Sequence, residues 1–464
     1  MSDWQTVTLE DVTESINTGL DAIRRAPIVE HKTNLRCLRI QDISQNKPFD
    51  KWGYTEVKDS DFKKFQLVPN DIIMARTCST GICYLVKKEL PAVFNNGLAR
   101  IRLKIEKVDP KFIYYVFKSK HFSGYIDGIS GGTSVQLNMK IGDLLKYQFN
   151  LPPLSEQKEI ARILSDLDKK IELNTQINQT LEQIAQALFK SWFVDFDPVR
   201  AKVQALSDGL SLEQAELAAM QAISGKTPEE LTALSQTQPD RYAELAETAK
   251  AFPCEMVEVD GVEVPKGWEV KRIDEIANII KGKSYKSSEL EKSKTALVTL
   301  KSFNRGGGYR LDGLKEYTGK YKPEQEVFAG ELIIAYTDVT QAADVIGKPA
   351  MVMSDSNYQH LVISLDVGVV RPFNNVYKHF LYCLAMTDSF QAHTKSFCTG
   401  TTVLHLGKDA VPSFEFINPS NELLHVFYKQ TSPIFEKINL HIEENKNLEK
   451  ARDLLLPSLL SGKS

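Results

Sequence analysis

The sequence predicts an α+β protein built as a pseudo-twofold tandem repeat, in which two globular mixed α/β heads are joined by two long helices that form an antiparallel coiled coil. Three observations support this prediction. A long helical segment with an apolar seam occurs twice, short motifs around it recur at a similar offset, and short apolar runs separated by glycines fill the rest of each half. The chain of 464 residues is long enough for several domains.

The first head covers residues 1–150 and the second covers residues 267–416. Short apolar runs bounded by polar residues or glycines predict strands in both heads. These predicted strands are 71–76, 81–87, 99–105 and 331–337. Amphipathic segments at 109–122 and 377–388 predict one helix in each head.

Short motifs mark equivalent places in the two halves. Each half opens with a tryptophan, continues through an acidic residue followed by an apolar strand, and reaches a Gly-Thr turn before its long helix. The matched pairs are Trp4 with Trp268, 71–75 with 331–335, and 132–135 with 400–403. Little sequence is shared between these landmarks, which indicates a duplication whose heads diverged while the helices kept their register.

Residues 151–193 and 417–464 are predicted to form the long helices. Steps of four and three residues define an apolar seam in the first helix, and adding 267 to each position reproduces a seam in the second. The principal seam residues are Ile160, Leu164, Leu167, Ile171, Asn174, Asn178, Leu181, Ile434, Ile438, His441, Asn445 and Leu448. Ser155 is expected to cap the first helix, and Pro433 and Pro457 are expected to interrupt or kink the second.

Four polar residues coincide in the middle of the two seams. Asn174 and Asn178 align with His441 and Asn445. Because a polar residue in a seam fixes register at a cost in stability, we expect leucine at positions 174 and 178 to raise thermal stability and to permit misregistered association. Antiparallel pairing would place the heads at opposite ends of a spacer roughly 58 Å long. That length corresponds to about 17 base pairs of duplex DNA.

Residues 194–266 connect the two halves. Ser211 with Gln214, and Thr227 with Glu230, have the spacing of capping boxes and predict two or three short helices. The connector is strongly acidic, with 14 Asp and Glu against 6 Lys and Arg.

The net charge of −3 averages segments of opposite character. The first head carries 22 Lys and Arg against 17 Asp and Glu, whereas the second carries 18 against 17. A basic head suits a nucleic-acid partner, and the acidic connector is expected to face away from it. The sequence has no apolar run of about 20 residues and no secretion signal, so a cytoplasmic protein with six reduced cysteines and no membrane partner is expected.

The sequence lacks the motifs of the common catalytic and metal sites. It contains no G-x-x-x-x-G-K-[ST] phosphate loop, no H-E-x-x-H and no Cys/His zinc spacing. The only Pro-Asp pair, Pro239-Asp240, lies in the connector, and residues 151–154 (LPPL) lack the polar first residue and the aromatic residue of an adenine methyltransferase motif. These observations favour a binding protein over an enzyme with its own nuclease or methyltransferase centre. A coiled-coil adaptor or scaffold without DNA specificity is the alternative.

Four motifs frame the whole chain in a fixed order. They are residues 151–157 (LPPLSEQ), 191–198 (SWFVDFDP), 264–268 (VPKGW) and 455–462 (LLPSLLSG). In this combination the chain resembles the DNA-specificity subunits of type I restriction–modification enzymes. Residues 417–422 depart from the pattern, because the second long helix of the family usually opens with a motif like that of the first.

The resemblance implies a prokaryotic, non-catalytic subunit in which two target-recognition domains each read one half of a bipartite, asymmetric site on double-stranded DNA. It implies that the paired helices form a spacer that also docks two methyltransferase subunits, which bind S-adenosylmethionine and methylate adenine. Separate restriction subunits would use ATP and Mg. No cofactor or metal is expected in this chain itself.

Polar loops of both heads are the expected DNA contacts, because Arg, Lys, Ser, Thr, Tyr and Gln side chains suit phosphates and base edges. In the first head these residues are Arg24, Arg25, Lys32, Arg36, Arg76, Thr77, Ser79, Thr80, Thr133 and Ser134. In the second head they are Lys281, Lys283, Tyr285, Lys286, Arg305, Arg310, Tyr336, Thr337, Gln341, Thr401 and Thr402. The alternative at each position is an intramolecular ion pair or a structural turn. Residues 306–308 (GGG) are expected to form a mobile loop that orders on DNA.

Overall fold

The computed structural model describes residues 4–130, 139–259, 261–339 and 343–461. The chain divides into two compact units. Unit 1 consists of Met1–Glu172 and Asn445–Ser464, and unit 2 is Leu173–Glu444. The first head lies in unit 1, the second head and the connector lie in unit 2, and both long helices contribute residues to each unit. No helix in the described part of the chain is long and apolar enough to cross a membrane.

The first head is built on two four-stranded sheets. Its antiparallel sheet has the strand order Thr13–Thr18, Leu98–Leu103, Ile72–Ala75 and Cys83–Leu85. Its mixed sheet has the order Ile28–Val29, Gly53–Thr55, Leu35–Leu38 and Ala92–Phe94. A further pair joins Gln5–Thr8 to Gln148–Leu151. The helical segments are Leu9–Val12, Ile40–Ser44, Phe49–Lys51, Asp59–Phe65, Pro110–Lys118, Lys120–Ile129 and Ile141–Leu145.

The second head repeats this plan. Its antiparallel sheet has the order Ala277–Lys281, Val367–Pro372, Leu332–Ala335 and Pro349–Met351. Its mixed sheet has the order Lys315–Glu316, Thr295–Val298, His360–Ile363 and Glu326–Val327. Smaller pairings join Glu269–Arg272 to Glu415–Asn418, and Leu404–Leu406 to both Thr337–Asp338 and Cys398–Thr399. The helical segments are Ile273–Glu275, Ser287–Glu289, Leu300–Ser302, Leu311–Gly313, Pro323–Gln325, Tyr377–Ala385 and Asp388–Ser396.

The antiparallel sheets confirm the α+β class and the tandem repeat, because their strands follow the same chain order, first, fourth, second and third, in both heads. The mixed sheets differ, since the parallel pair lies at an edge in the first head and in the centre in the second. In each mixed sheet one pair of strands is parallel, with Cys37 opposite Val93 in the first head and Leu297 opposite Val362 in the second. The equivalent pairs in the antiparallel sheets run in the same directions. The duplication therefore extends through the heads, although their sequences have diverged.

The apolar strands that the sequence predicts at equivalent places are buried on both faces. Ile72 and Met74 pack into one core with the helix Pro110–Lys118, whereas Ile73 and Ala75 pack into a second core with the mixed sheet. Alternate residues of a strand point to opposite faces, so a strand between two cores reads as a continuous apolar run. Leu332–Ala335 divides between two cores in the same way.

The long helices are Leu154–Phe193 and Asn421–Ser461. They pack against each other in the antiparallel sense within each unit. In unit 1, Asp168 pairs with Arg452 and Asn445 donates to the carbonyl oxygen of Ile171. In unit 2, Asn174 pairs with Glu444 and Asn178 pairs with His441. In each unit the partner's residue number falls as the residue number in the first helix rises.

The expected interruption of the second helix at Pro433 and Pro457 is wrong. The second helix continues through Pro433 and Pro457. Each proline leaves the carbonyl four residues earlier without its helical hydrogen bond, but Pro433 and Pro457 are exposed, as are Lys429 and Asp453. Solvent can therefore satisfy the freed carbonyls. The first helix begins at Leu154, one residue before the expected cap Ser155.

The connector contains four helices instead of the two or three predicted. They are Asp197–Ser207, Leu212–Ser224, Pro228–Thr237 and Pro239–Ala251, followed by a hairpin of Met256–Val259 and Val262–Pro265. Both predicted capping boxes are confirmed, at Ser211 and Thr227. The additional helix begins with Pro239 in its first turn, where proline lacks only a donor that has no helical partner.

The predicted helix at 109–122 is in fact two helices. Ser119 adopts an extended conformation between them, and its hydroxyl accepts a hydrogen bond from the amide of Phe122 at 3.2 Å. A serine cap inside an amphipathic segment thus ends one helix and starts the next. The helix Asp388–Ser396, which the sequence analysis did not predict, follows the same arrangement with Thr387 as its cap.

Candidate nucleic-acid interface

In the first head, three separate segments meet at one end of the antiparallel sheet. Thr18 and Met74 lie on either side of Ala99 in the strand ladders. The guanidinium of Arg76, just beyond the strand, donates to the Thr18 hydroxyl at 3.0 Å. The amide of Arg76 donates to the carbonyl oxygen of Gly97 at 2.9 Å, so the strand end also contacts the tip, which is the turn at residues 95–97 between the mixed and the antiparallel sheet.

The turn that follows Thr18 carries an exposed cation beside this tip. The amide of Leu20 donates to the carbonyl oxygen of Phe94 at 2.9 Å. The carboxylate of Asp21 accepts bonds from the amides of Ile23 and Arg24, and these bonds lower the pKa of Asp21. The turn is thereby fixed, and the side chain of Arg24 is exposed, with its charge also helping to lower the pKa of Asp21.

For two other predicted contacts of the first head, the structure shows the intramolecular alternative. Arg25 forms an ion pair with Asp61 at 2.5 Å. Arg36 donates to the carbonyl oxygen of Trp52 and to the hydroxyl of Tyr54, and its guanidinium lies 4.2 Å from the centre of the Tyr54 ring. Both cations are therefore used to hold the mixed sheet and its flanking helix.

The remaining predicted contacts of the first head differ in exposure. Lys32 is exposed, whereas Thr77, Ser79 and Thr80 are half-buried in the segment after Arg76. The hydroxyl of Ser130 donates to that of Thr80 at 3.3 Å. Thr133 and Ser134 lie outside the described residues.

In both heads, a non-glycine residue with positive φ occurs in the segment after a buried strand, which is Ile72–Ala75 in the first head and Leu332–Ala335 in the second. Cys78 has φ +61° in the first head and Ala343 has φ +53° in the second. Non-glycine residues in this region cost free energy and concentrate at functional sites. The two residues are not at equivalent positions, since Cys78 follows Arg76 by two residues and Ala343 follows Tyr336 by seven.

In the second head, a lysine occupies the corresponding place. Lys281 and Ile334 lie on either side of Gly368 in the ladders, which makes Lys281 equivalent to Thr18. The ammonium group of Lys281 lies 4.6 Å from the centre of the Tyr336 ring, in a cation–π contact. The amide of Tyr336 donates to the carbonyl oxygen of Asp366 at 2.7 Å, which repeats the bond between Arg76 and Gly97.

The prediction that Tyr336 and Thr337 contact DNA is wrong, because both residues are buried. Gly368 allows the Tyr336 ring to lie on the sheet, since a β-carbon at position 368 would be 2.5 Å from that ring. Burial also raises the pKa of Tyr336. Thr337 belongs to a strand that pairs with Leu404–Leu406. Gln341 lies outside the described residues.

The basic segment after Lys281 is only partly free. The ammonium group of Lys283 donates to the carbonyl oxygen of Lys320, and Tyr285 accepts a bond from Lys315 at 3.1 Å. Lys286 is exposed without a side-chain partner in the described residues. Lys281 and Lys286 are thus the cations of this segment that remain accessible to a ligand.

The expected mobile glycine loop is a hydrogen-bonded turn. Phe303 and Tyr309 form a bridge across it, and the amide of Gly308 donates to the carbonyl oxygen of Pro349. Arg310 pairs with Asp312 at 2.5 Å, so the turn forms its own contacts without DNA. Arg305 forms an ion pair with Asp344, with 3.6 Å between Nη1 and Oδ2. Thr401 and Thr402 are exposed in the turn between Cys398–Thr399 and Leu404–Leu406.

All twelve seam residues named from the sequence are buried or half-buried. Asn174 donates to the carboxylate of Glu444 at 2.7 Å, and Asn178 Oδ1 lies 2.8 Å from His441 Nδ1. Steps of four and three residues from Leu448 would place Leu455 in the seam. Leu455 is 40% exposed, however, and its neighbour Leu456 is 7% exposed. The side of the helix that faces inward has moved by one residue.

The two tips, at residues 95–97 and 364–366, were not predicted from the sequence. Asn96 is exposed at the tip of the first head, and Leu365 is 54% exposed at the tip of the second. Asn96-Gly97 between two apolar runs is a turn signal that could have located the first tip. No comparable signal exists at Ser364-Leu365-Asp366, whose position follows only from the strand pairing.

Comparison with known proteins gives a consistent result. The family model described as "Type I restriction modification DNA specificity domain" matches residues 1–183 and 265–450. The chain is 40% identical to the type I restriction enzyme HindI specificity subunit of Haemophilus influenzae over 478 aligned positions, which cover 100% of both chains. It is 26% identical to the MjaIX specificity subunit of Methanocaldococcus jannaschii, covering 83% of this chain and 76% of that one. A solved structure of the type I S subunit from M. genitalium shares the fold at 18% identity, with a TM-score of 0.51 and coverage of 99% and 96%.

Proposed function

Because the chain belongs to the family of type I restriction–modification specificity subunits, we propose that it is the non-catalytic component that reads a bipartite, asymmetric DNA site. The observation that carries this proposal is the presence of two heads whose antiparallel sheets have the same strand order and whose exposed side chains differ. One scaffold used twice supports two readers, and different side chains support two different half-sites. A site of this kind has no palindromic symmetry.

Methylation mapping tests the proposal. The chain is expressed with its methyltransferase subunit in a methylation-free host, and modified adenines are located by sequencing. We expect one motif with two specific parts separated by a fixed number of unspecified bases. Replacing residues 1–150 with another head should change only one part. If modified adenines show no bipartite motif, the proposed function is wrong.

We further propose that two methyltransferase subunits, which bind S-adenosylmethionine, dock on the paired long helices. Leu173 and Leu440 support this proposal because they are 50% and 62% exposed at positions 267 residues apart. Exposed leucines at equivalent positions of two helices suit two copies of one partner. Restriction subunits that use ATP and Mg would join the same assembly.

Substitution of these leucines tests the docking surface. Leu173→Asp and Leu440→Asp should each lower the amount of methyltransferase that co-purifies, because a charge is costly in a buried interface. Leu212→Asp is a matched control, since Leu212 is 54% exposed on the connector. Equal recovery of methyltransferase with all three variants would contradict docking at these positions.

DNA binding separates this function from that of a coiled-coil adaptor. A specificity subunit should bind its duplex with an affinity that falls steeply as salt rises, because phosphate contacts release counterions. An adaptor without DNA specificity should show neither a preferred duplex nor this dependence. Fluorescence anisotropy with cognate and scrambled duplexes, measured on the complex with methyltransferase, distinguishes the two.

A further inference from the structure

The strand ladders identify equivalent residues in the two heads without reference to side-chain identity. Ala99 pairs with Thr18 and Met74, and Gly368 pairs with Lys281 and Ile334. Thr18 is therefore equivalent to Lys281. Met74 is likewise equivalent to Ile334. Arg76 and Tyr336, which follow these two residues by two positions, are therefore equivalent.

These two equivalent positions are in contact in both heads, but their chemistry is exchanged. In the first head, the half-buried cation Arg76 directly follows the strand Ile72–Ala75 and donates to the Thr18 hydroxyl at 3.0 Å. In the second head, the cation Lys281 lies on the other strand and rests on Tyr336. Each head thus presents one positive charge at the same place on its sheet, supplied by opposite members of the same residue pair.

A tip, the turn that joins the mixed sheet to the antiparallel sheet, lies beside this charge in both heads. The backbone bonds from Arg76 to Gly97 and from Tyr336 to Asp366 make residues 95–97 equivalent to 364–366. A glycine in each head allows the tip to lie close to the neighbouring strand. A β-carbon at Gly19 would lie 2.3 Å from the carbonyl oxygen of Asn95, and one at Gly282 would lie 2.1 Å from that of Ser364.

Each tip also begins with a buried polar atom that lacks a partner. Asn95 Oδ1 and Ser364 Oγ, at equivalent positions, have no hydrogen-bond partner in the described residues. Buried polar atoms are almost always paired, so two unpaired atoms at one repeated place are unusual. The exposed side chains that follow differ in chemistry, with Asn96 in the first head and Leu365 in the second.

We infer that this charge-and-tip site divides the work of DNA recognition in each head. It consists of Arg76 with residues 95–97 in the first head and of Lys281 with residues 364–366 in the second. The inference rests on the proposed function. The cation, retained as a charge although its residue and strand have changed, contacts the phosphate backbone, which carries no sequence information. The tip, whose side chains have changed in kind, reads the bases.

The side chains of the tips suit different bases. The amide of Asn96 can bond to the N6 and N7 atoms of adenine, whereas Leu365 can contact the methyl group of thymine. The carboxylate of Asp366 can accept a hydrogen bond from N4 of cytosine and would repel a phosphate. The second tip is therefore suited to base edges and unsuited to the backbone.

Two sets of variants, made in the full chain expressed with its methyltransferase subunit, test the division. Asn96→Ala and Leu365→Ala should each relax the methylated motif at one position, in different halves. Arg76→Gln and Lys281→Gln should leave the motif unchanged, weaken binding to cognate and scrambled duplexes alike, and lower the magnitude of the slope of log K against log salt by about 1. The conservative variants Arg76→Lys and Lys281→Arg should restore the slope.

Lys88→Gln provides a matched control for charge. Lys88 is exposed near the strand Cys83–Leu85, whose residue Leu85 pairs with Ile72 at the opposite end of the sheet from Arg76. This control should retain the slope of the unchanged chain. Thermal unfolding of every variant separates loss of fold from loss of contact.

Three outcomes would overturn the inference. The motif could stay the same in both tip variants while the variants remain folded. The motif could change in a folded Arg76→Gln or Lys281→Gln variant. The salt slope of both cation variants could equal that of Lys88→Gln. Failure of the proposed function itself is distinguishable, because the unchanged chain would then direct no bipartite methylation in the same assay.

Discussion

Asp168 joins three elements of unit 1, and its removal should destabilise that unit more than removal of a neighbouring exposed carboxylate. The side chain accepts bonds from Tyr115 at 2.8 Å and from Arg452 at 2.7 Å, and Lys118 lies at 3.5 Å. Tyr115 and Lys118 belong to a helix of the first head, whereas Arg452 belongs to the second long helix. A single carboxylate on the first long helix therefore bonds to both of these helices.

The size of the expected loss of stability follows from the burial and charge of this ion pair. The side chains of Asp168 and Arg452 are 27% and 22% exposed, so solvent screens their interaction only in part. Breaking a fully buried pair costs about 3–5 kcal/mol, and exposed pairs contribute about 0–1 kcal/mol. We expect Asp168→Asn to lower the free energy of unfolding of unit 1 by about 2–3 kcal/mol. Its thermal midpoint should fall by roughly 4–12 °C.

Asp453→Asn is the matched control. Asp453 bonds to the same guanidinium at 2.9 Å, but its side chain is 65% exposed. We expect a loss below about 0.5 kcal/mol for this variant. Urea denaturation followed by circular dichroism measures both. Equal losses in the two variants would refute the argument that burial and shared donors give Asp168 its importance.

The pH dependence has a definite sign. Burial alone would raise the pKa of Asp168, but Lys118, Arg452 and Tyr115 together hold it below the ordinary value. A depressed pKa in the folded state means that the stabilisation is present above the unfolded pKa of about 3.9 and is lost as pH falls through the folded value. The difference in stability between the unchanged chain and Asp168→Asn should therefore shrink below about pH 4.

Three further substitutions test other contacts. Asn178→Leu should lower the free energy of unfolding by about 1–2 kcal/mol, because it removes the bond to buried His441; this reverses the gain expected from the sequence. Burial lowers the pKa of His379 to about 3, so the contribution of the neutral imidazole to stability should fall as pH drops below about 6.5. His379→Gln should therefore flatten the decline of stability between about pH 6.5 and 4. Gly282→Ala should abolish or severely weaken folding of the second head, judged by near-ultraviolet dichroism, because the new β-carbon would overlap the Ser364 carbonyl.

Each of these expectations has a contradicting result. A higher midpoint for Asn178→Leu would mean that burial of leucine outweighs the lost bond. An unchanged pH profile for His379→Gln would mean that another group causes the acid sensitivity. Normal dichroism for Gly282→Ala would mean that the tip of the second head can move away from the sheet.

The sequence predicts well wherever the decisive interaction is local or periodic. The seam spacing, the apolar strands and the capping boxes at Ser211 and Thr227 depend on residues within a few positions of one another, and the structure has these helices and strands near the expected places. Pro433 shows the limit of local reasoning. Its effect on the helix depends on whether the carbonyl of Lys429 faces solvent, which is set by packing of the second helix.

The candidate site was harder to predict because distant residues decide which side chains are exposed. Tyr336 was expected in a loop, but its burial depends on Gly368, which is 32 residues further along the chain. Arg25 and Arg36 were expected to contact DNA, yet their partners Asp61 and Tyr54 come from another helix and another strand. Composition identifies polar loops, whereas tertiary pairing decides which cations remain free.

The way the two heads diverged has a physical explanation. The offset between equivalent residues is 263 at Gly19, 260 at Arg76 and 269 at Asn96, whereas a constant 267 relates the long helices in the sequence. Insertions in loops at a sheet end disturb no ladder, but an insertion in a paired helix turns all later residues about the axis by about 100°. Such a duplicated protein can change the exposed side chains of each head without changing the register of its two long helices.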